Sequence, residues 1–173
     1  DSGDYQFDEH HITQLKESQL VEIRRQLLGF VFQSFNLIDD LSVYENVELP
    51  LLYQRVPRPQ RKIKVREVLE LVGLEARTHH KPGQLSGGQQ QRVAIARAVV
   101  TDPKLILADE PTGNLDSKNG DEIMDMLLTL NEQGTTILMV THSAENATKA
   151  HRTIYMLDGQ IVNSVASTPA SAS

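Results

Sequence analysis

The sequence predicts an α/β fold, with a mostly parallel sheet, a helical insertion and a small antiparallel hairpin at the carboxyl-terminal end. Residues 105–108 and 136–140 are continuous apolar runs, as is typical of parallel strands covered on both faces. Residues 117–132 between them repeat at helical spacing, so the segment has the strand–helix–strand order of a parallel unit. Asp158-Gly159 lies between two further strand patterns and predicts a two-residue hairpin turn.

The first forty residues predict two strands and a helix ahead of that unit. Residues 5–7 form a short strand candidate, and residues 18–26 repeat at helical spacing. Residues 29–32 are apolar and predict a buried strand that ends at Gln33.

Residues 41–98 are predicted to form the helical insertion. A first helix covers residues 44–53 and is expected to break at Pro50. A second covers residues 59–72, and Gly73 ends it. Its inward face is predicted to consist of Ile63, Val65, Val68, Leu69 and Val72. Ser86 has the character of an N-cap for a third helix that runs to about residue 100.

The remaining elements complete one predicted domain over residues 1–166. The helix at residues 117–132 is expected to bury one apolar face, made of Ile123, Met126, Leu127 and Leu130. The hairpin strands are predicted at residues 152–157 and 160–165. Residues 167–173 are rich in Ser and Ala and predict a disordered tail or the start of a linker.

Composition limits the class of protein and its partners. The chain has 173 residues, 39% of them hydrophobic, which is enough for one globular core. The net charge of -6 argues against nucleic acid as a partner, and the absence of cysteine excludes disulfides. No apolar run is long enough to span a bilayer. Any link to a membrane is therefore expected to pass through a partner protein.

Asp109 and Glu110 follow the apolar run at residues 105–108. Ligands of doubly wound sheets bind at the carboxyl ends of strands. We expect the two carboxylates to point to opposite sides of an extended strand. One would then hold Mg²⁺ while the other faces the water that attacks a phosphate. The alternative is a solvated acidic turn.

The segment Leu85-Ser86-Gly87-Gly88-Gln89 predicts a phosphate-binding helix start. Glycines allow a close approach of the backbone, and a helix N-terminus offers free N–H groups and the positive end of its dipole. Ser86 adds a hydroxyl donor. The alternative is an ordinary glycine-containing loop that ends in an N-cap.

Three further polar residues follow strands or turns. Gln33 follows a predicted strand, and its amide has the chemistry to touch a metal-bound water. His142 follows the strand at residues 136–140 and is predicted to contact a γ-phosphate or to orient Glu110. Asp116 closes a tight turn and is expected to cap the next helix.

Together these motifs resemble the ATPase subunit of ABC transporters, over almost the whole chain. Gln33 matches the Q-loop of that family, Leu85 to Gln89 match its signature motif, and Leu105 to Glu110 match its Walker B strand. Leu115-Asp116 match its D-loop, and His142 matches its H-loop. The segments at residues 29–33, 45–47 and 109–116 resemble the bacterial subgroup that powers lipoprotein release, macrolide efflux and antimicrobial-peptide export.

The resemblance implies a P-loop NTPase-like fold, with ATP and Mg²⁺ as cofactors. Two ATPase subunits would sandwich ATP and drive an integral membrane permease from the cytoplasmic face of the inner membrane. Asp109 would organise Mg²⁺ together with Gln33, Glu110 would polarise the attacking water, and His142 would sense the γ-phosphate. Ser86, Gly87, Gly88, Gln89 and Asp116 would contribute to nucleotide binding, the signature residues acting on the partner's ATP.

One motif of the family is absent from these 173 residues. The phosphate-cradling G-x-x-x-x-G-K-[ST] loop does not occur in them, so the sequence is expected to be a truncated form of a longer ATPase. Alone, it is expected to hydrolyse ATP negligibly. The alternative is a non-catalytic partner that supplies its signature motif to an intact subunit. A soluble ABC-type ATPase of DNA repair or translation fits less well, because the stretch between Gln33 and Ser86 is short and interrupted by proline.

Overall fold

The computed structural model describes residues 3–166, with side chains up to residue 163. Helices are α1 (Glu17–Leu27), α2 (Val43–Tyr53), α3 (Arg58–Leu71), α4 (Gly87–Val99), α5 (Ser117–Glu132) and α6 (Ala144–Thr148). Strands are β1 (Gln6–Phe7), β2 (His10–His11), β3 (Leu28–Phe32), β4 (Leu105–Asp109), β5 (Thr136–Val140), β6 (Arg152–Leu157) and β7 (Gln160–Ala166). The predicted elements are therefore present, and the α/β class is confirmed.

The main sheet has the strand order β3-β4-β5, and β3 and β4 are parallel. Its core side is formed by Val31, Ile106 and Ala108, which are at most 2% exposed and pack with α4 and α5. Gly29 lies against α4 so closely that an added Cβ would stand 2.6 Å from the carbonyl oxygen of Ala98. The absence of a side chain at residue 29 is what allows β3 to approach α4.

The helices of the insertion share a core of their own. Val47 and Leu51 of α2, Val65 of α3 and Val93 of α4 are fully buried in it. Helix α2 begins with a capping box, in which the Ser42 side chain accepts from the backbone N–H of Glu45. Local capping and a shared apolar face together fix the position of these helices.

Pro50 does not break α2, so that prediction was wrong. The helix continues through Pro50 to Tyr53. A proline inside a helix costs about 3 kcal/mol. Burying Val47 and Leu51 offsets this cost, since each fully buried aliphatic side chain contributes about 1.5–3 kcal/mol. Tertiary packing overrides the local preference here.

The predicted inward face of α3 is correct except at one position. Val65, Leu69 and Val72 are buried, and Val68 is partly buried against the same core. Ile63 is 52% exposed. It precedes Val65 by two residues, which places it about 200° away around the helix.

Strand β5 and helix α5 also depart from the prediction in detail. The prediction that β5 is buried on both faces was wrong, because Leu138 and Val140 are more than half exposed. Ile137 and Met139, on its other face, pack against the core. Burial in β4 likewise alternates, with Ile106 and Ala108 buried and Leu105 and Leu107 only partly covered. In α5, Ile123, Leu127 and Leu130 are buried as predicted, but Met126 is only partly buried and Met124, outside the predicted face, is buried.

The structure divides into two compact units between Met139 and Val140. The second unit holds α6 and the antiparallel hairpin β6–β7, in which Leu157 pairs with Gln160. Asp158 and Gly159 both have positive φ, as the predicted two-residue turn requires. Among the described residues, no helix is both long and apolar enough to cross a membrane. The tail predicted at residues 167–173 lies outside the described residues.

Candidate nucleotide site

The register between β3 and β4 brings three predicted site residues to one edge of the sheet. Phe32 is the Cα partner of Asp109, the last pair of the parallel ladder. Gln33 directly follows Phe32, and Glu110 directly follows Asp109, so both residues leave the sheet at the same end. Because parallel strands end together, the carboxyl-end location predicted for Gln33, Asp109 and Glu110 is correct.

Glu110 does not continue the strand, so the expectation of two carboxylates on an extended strand was wrong. Strand β4 ends at Asp109, and Glu110 has a φ of 43°, in the left-handed region. Few residues other than glycine adopt this region, and backbone in it is typical of functional sites. The N–H of Gly113 donates to the carbonyl of Glu110 at 3.0 Å and closes the turn. A sharp turn therefore sets the direction of the Glu110 side chain.

A reciprocal pair of hydrogen bonds joins Gln33 to the turn after β4. Gln33 Nε2 donates to Asn114 Oδ1 at 3.3 Å, and Asn114 Nδ2 donates to the Gln33 carbonyl at 3.0 Å. Gly113 makes room for this pair, since an added Cβ would stand 2.7 Å from Gln33 Nε2. The chain after β3 and the turn after β4 are thus joined through polar side chains.

The start of α4 has the predicted capping geometry. The Ser86 side chain accepts from the N–H of Gln89 at 3.3 Å, while Gln89 Oε1 accepts from the N–H of Ser86 at 3.0 Å. The N-cap prediction for Ser86 is confirmed. Ser86 is itself exposed, so the same residue that caps α4 also faces solvent.

Gly87 and Gly88 lie against the segment that contains Asp116. An added Cβ at Gly88 would stand 2.4 Å from Asn119 Oδ1, and one at Gly87 would stand 3.5 Å from Leu115 Cδ2. The absence of a side chain at Gly88 lets the start of α4 approach the start of α5, whereas a Cβ at Gly87 would make an ordinary contact. Packing is therefore a reason for Gly88, beside the predicted contact with a phosphate.

Asp116 is the N-cap of α5, as predicted. Its side chain accepts from the backbone N–H of Asn119 at 3.0 Å and from Asn119 Nδ2 at 2.6 Å. These hydrogen bonds, the backbone one first, hold the pKa of the Asp116 carboxyl below its usual value. The ionised carboxylate therefore fixes the turn that faces Gly88.

Gln91 lies beneath this edge and was missed by the sequence reasoning. Its side chain is 0% exposed, and Nε2 donates to the carbonyls of Pro111 at 2.6 Å and Phe32 at 3.3 Å. Gln91 Oε1 is buried without a hydrogen-bond partner among the described residues. A glutamine at a core-facing position of α4 was the available signal, since buried amides need partners.

Arg97 holds the loop that follows Gln33, and it too was missed. Its guanidinium donates to the carbonyls of Asn36 at 2.5 Å and Phe35 at 3.0 Å. Both of those residues have positive φ, 50° and 61°. Burial lowers the pKa of Arg97 from its usual value. The cation at the end of α4 therefore stabilises an unusual backbone shape next to Gln33.

His142 lies two residues after β5, in the second compact unit. Its predicted contact with a γ-phosphate or with Glu110 stays a prediction. The roles of the other site residues in nucleotide and metal chemistry also remain predictions.

The donor set at this edge fits Mg²⁺ and a nucleotide. Asp109 supplies a carboxylate and Gln33 an amide oxygen, from the ends of neighbouring strands. Mg²⁺ is typically held by one or two protein oxygens, with water and substrate phosphates completing its shell. Ser86 and the N–H groups at the start of α4 supply donors for an anion.

Comparison with known proteins identifies the family. A family model described as "ABC transporter" matches residues 1–113, more than half of the chain. The chain belongs to the ABC transporter ATPase family. The motif assignments made from the sequence therefore belong to the correct family.

Relatives among curated proteins agree with this family. An uncharacterized ABC transporter ATP-binding protein of Thermotoga maritima is 51% identical over 150 residues, covering 87% of this chain and 64% of that protein. The macrolide export ATP-binding/permease protein MacB 1/2 of Paracoccus denitrificans is 47% identical over 161 residues, covering 93% of this chain. The chain spans 24% of the length of that MacB protein.

Solved structures show the same fold. The ATP-binding cassette MJ0796, solved as a dimer in a post-hydrolysis state bound to ADP and Pi, matches with a TM-score of 0.85 and 44% identity. The match covers 96% of this chain and 74% of that one. The fold is therefore that of an ABC ATPase cassette.

Proposed function

We propose that this protein is the ATP-hydrolysing subunit of a bacterial export or lipoprotein-release ABC transporter. The observation that carries the proposal is the edge at which Gln33, Asp109 and Glu110 leave the sheet, with the glycine-lined start of α4 packed against the segment that follows them. The macrolide-export name of similar proteins supports the export class. ATP is the proposed substrate and Mg²⁺ the proposed metal, held by Asp109 and Gln33.

In this function each site residue has a role that follows from its position. Glu110, on its tight turn, holds the attacking water and accepts its proton. His142 contacts the γ-phosphate. The dimer of MJ0796 supports a paired arrangement, in which Ser86, Gly87, Gly88 and Gln89 contact ATP bound by a second subunit. Asp116 caps α5 and so positions the turn after β4, which lies against the start of α4.

A cleft on the helical insertion is the proposed docking surface for an integral membrane permease. It is lined by an aromatic ring, an exposed aliphatic side chain and charged groups of both signs, among them Tyr44, Ile63, Arg66 and Glu70. The ATP-binding/permease name of the MacB relative supports such a partner. The subunit is then peripheral, on the cytoplasmic face of the inner membrane. Ile63→Asp is expected to weaken co-purification with the permease while leaving ATP turnover without the permease unchanged.

Ser86→Arg tests the role of the signature motif in the intact protein. We expect it to abolish ATP turnover, because the bulky cation replaces the residue that faces the partner's ATP. Ser42→Arg is the matched control, since Ser42 caps α2 through the same reciprocal bonds with a residue three positions on. Equal losses in both variants would show that capping alone explains the effect.

A second candidate is a non-catalytic partner. It is favoured by the capped, solvent-facing Ser86 at the start of α4. In this role, residues 1–173 hydrolyse ATP negligibly alone and regain activity when mixed with a hydrolysis-competent subunit. Measurable ATP hydrolysis by purified residues 1–173 alone would contradict the expectation that they are inactive by themselves. If Ser86→Arg leaves the regained rate unchanged, the trans role is rejected.

A further inference from the structure

The side-chain amide of Gln91 joins the ends of β3 and β4 from below, in addition to the Gln33–Asn114 pair. One N–H of Nε2 reaches the carbonyl of Phe32, directly before Gln33, at 3.3 Å. The other reaches the carbonyl of Pro111, directly after Glu110, at 2.6 Å. The amide therefore spans the gap between the two backbone segments that carry the proposed catalytic side chains.

The segment held at Pro111 is one whose shape needs support. Glu110 has a φ of 43° and stands before a proline, which further narrows the conformations open to it. Such backbone persists where surrounding contacts determine it. The hydrogen bond from Gln91 to Pro111 is one such contact, and that from Gly113 to the Glu110 carbonyl is another.

Packing alone does not account for a glutamine at this place. The side chain is fully buried on a helix whose neighbours Val93, Ala94 and Ile95 are also fully buried. Its Oε1 is buried without a partner among the described residues, and an unsatisfied buried acceptor destabilises a fold. An apolar side chain of the same length would avoid that cost, whereas only a donor of two hydrogen bonds bridges Phe32 and Pro111.

We propose that Gln91 is a positioning residue for ATP hydrolysis, fixing the Glu110 turn relative to Gln33. The inference rests on the proposed function of this edge. Because Gln91 belongs to α4, it also ties the position of the Glu110 turn to the helix that begins with the signature motif. A shift of α4 along its axis would have to move Pro111 and Phe32 with it or break these two hydrogen bonds.

Gln91→Met in the intact protein tests this role, since methionine keeps the length and removes both donors. We expect kcat for ATP hydrolysis to fall about tenfold or more, as misplacement of a catalytic group does. KM for ATP is expected to stay within about twofold, because no proposed ATP contact is removed. Gln90→Met is the control: Gln90 makes only a local hydrogen bond, to the Leu85 carbonyl at 3.3 Å. It should keep the parental kcat.

Amide hydrogen exchange at Gly113 gives a second readout that needs no turnover. Its N–H donates to the Glu110 carbonyl, so it reports on the turn itself. We expect exchange about tenfold faster in Gln91→Met than in Gln90→Met. If Gln91→Met does not fold, Gln91→Leu takes its place, with thermal unfolding as the check.

Three results would overturn the inference: a parental kcat in Gln91→Met, an equal loss in Gln90→Met, or unchanged exchange at Gly113. Absence of ATP turnover in the unsubstituted protein would instead refute the proposed function and the catalytic part of the inference. The exchange result would still decide whether Gln91 holds the Glu110 turn.

Discussion

Gly29→Ala is expected to separate β3 from α4 and destabilise the protein. The added Cβ would stand 2.6 Å from the carbonyl oxygen of Ala98 and 3.2 Å from its carbonyl carbon. Ordinary C···O contacts are about 3.3–3.6 Å, so the strand and helix must part by roughly 0.7 Å. Both atoms belong to the backbone, so no change of rotamer relieves the contact.

The size of the effect follows from two opposing contributions. Overpacking a core costs about 1–3 kcal/mol, and a clash with fixed backbone lies at the upper end of that range. Removing a glycine from a strand returns about 0.5–1 kcal/mol. We therefore expect the free energy of unfolding to fall by about 2 kcal/mol.

Urea denaturation followed by circular dichroism measures this change. Gly83→Ala is the matched control, since an added Cβ there meets nothing within 4 Å. Ala98→Gly should not rescue Gly29→Ala, because it leaves the clashing carbonyl in place. Parental stability in Gly29→Ala, or full rescue by Ala98→Gly, would refute the steric reasoning.

Three further predictions concern the site. Gly113→Ala should lower ATP turnover, because its Cβ would displace the Gln33 amide from Asn114, and it should change the free energy of unfolding little. A parental steady-state rate of ATP hydrolysis would contradict this. Arg97→Lys should speed amide hydrogen exchange at residues 35 and 36, because one ammonium group cannot bond to both carbonyls as the guanidinium does. Unchanged exchange, measured by mass spectrometry, would show that Arg97 does not stabilise this loop. The folded-state pKa of Asp116 is lowered, so its capping contribution is complete above pH 3.8 and is lost as pH falls through the folded value. The urea midpoint of the parent should therefore exceed that of Asp116→Asn at neutral pH and approach it only as pH falls below 3.8, through the lowered folded-state value. A constant difference would argue against it.

The elements that the sequence predicted correctly depend on local signals. Ser86 and Asp116 cap helices through contacts three residues away, and Asp158-Gly159 sets a turn by its own φ preferences. Such features are encoded within a few neighbouring residues, so a single sequence is enough to find them.

The elements that the sequence missed depend on contacts between distant segments. Pro50 remains helical because α2 packs on α3 and α4, and Ile63 is exposed because the helix period places it away from that core. Gln91 and Asn114 reach partners 20 to 81 residues away. No local pattern reports such partners, so their roles at the site emerged only from the folded arrangement.

Glu110 also shows the limit of predicting side-chain directions from the two-residue period of a strand. Alternation along a strand predicted opposite directions for Asp109 and Glu110, but β4 ends between them. A turn with positive φ at Glu110, closed by Gly113, replaces the extended backbone. Pro111 was the local signal of a change, since a proline disfavours continuation of the ladder.

Single-turnover ATP hydrolysis by Glu110→Gln tests the central claim most directly. The substitution keeps the shape of the side chain and removes the carboxylate that is proposed to accept the proton of the attacking water. The account predicts that the hydrolysis rate of the intact protein falls by about 10²-fold or more, with ATP affinity within about twofold of the parent. A parental hydrolysis rate in Glu110→Gln would contradict the assignment of this edge as the catalytic site.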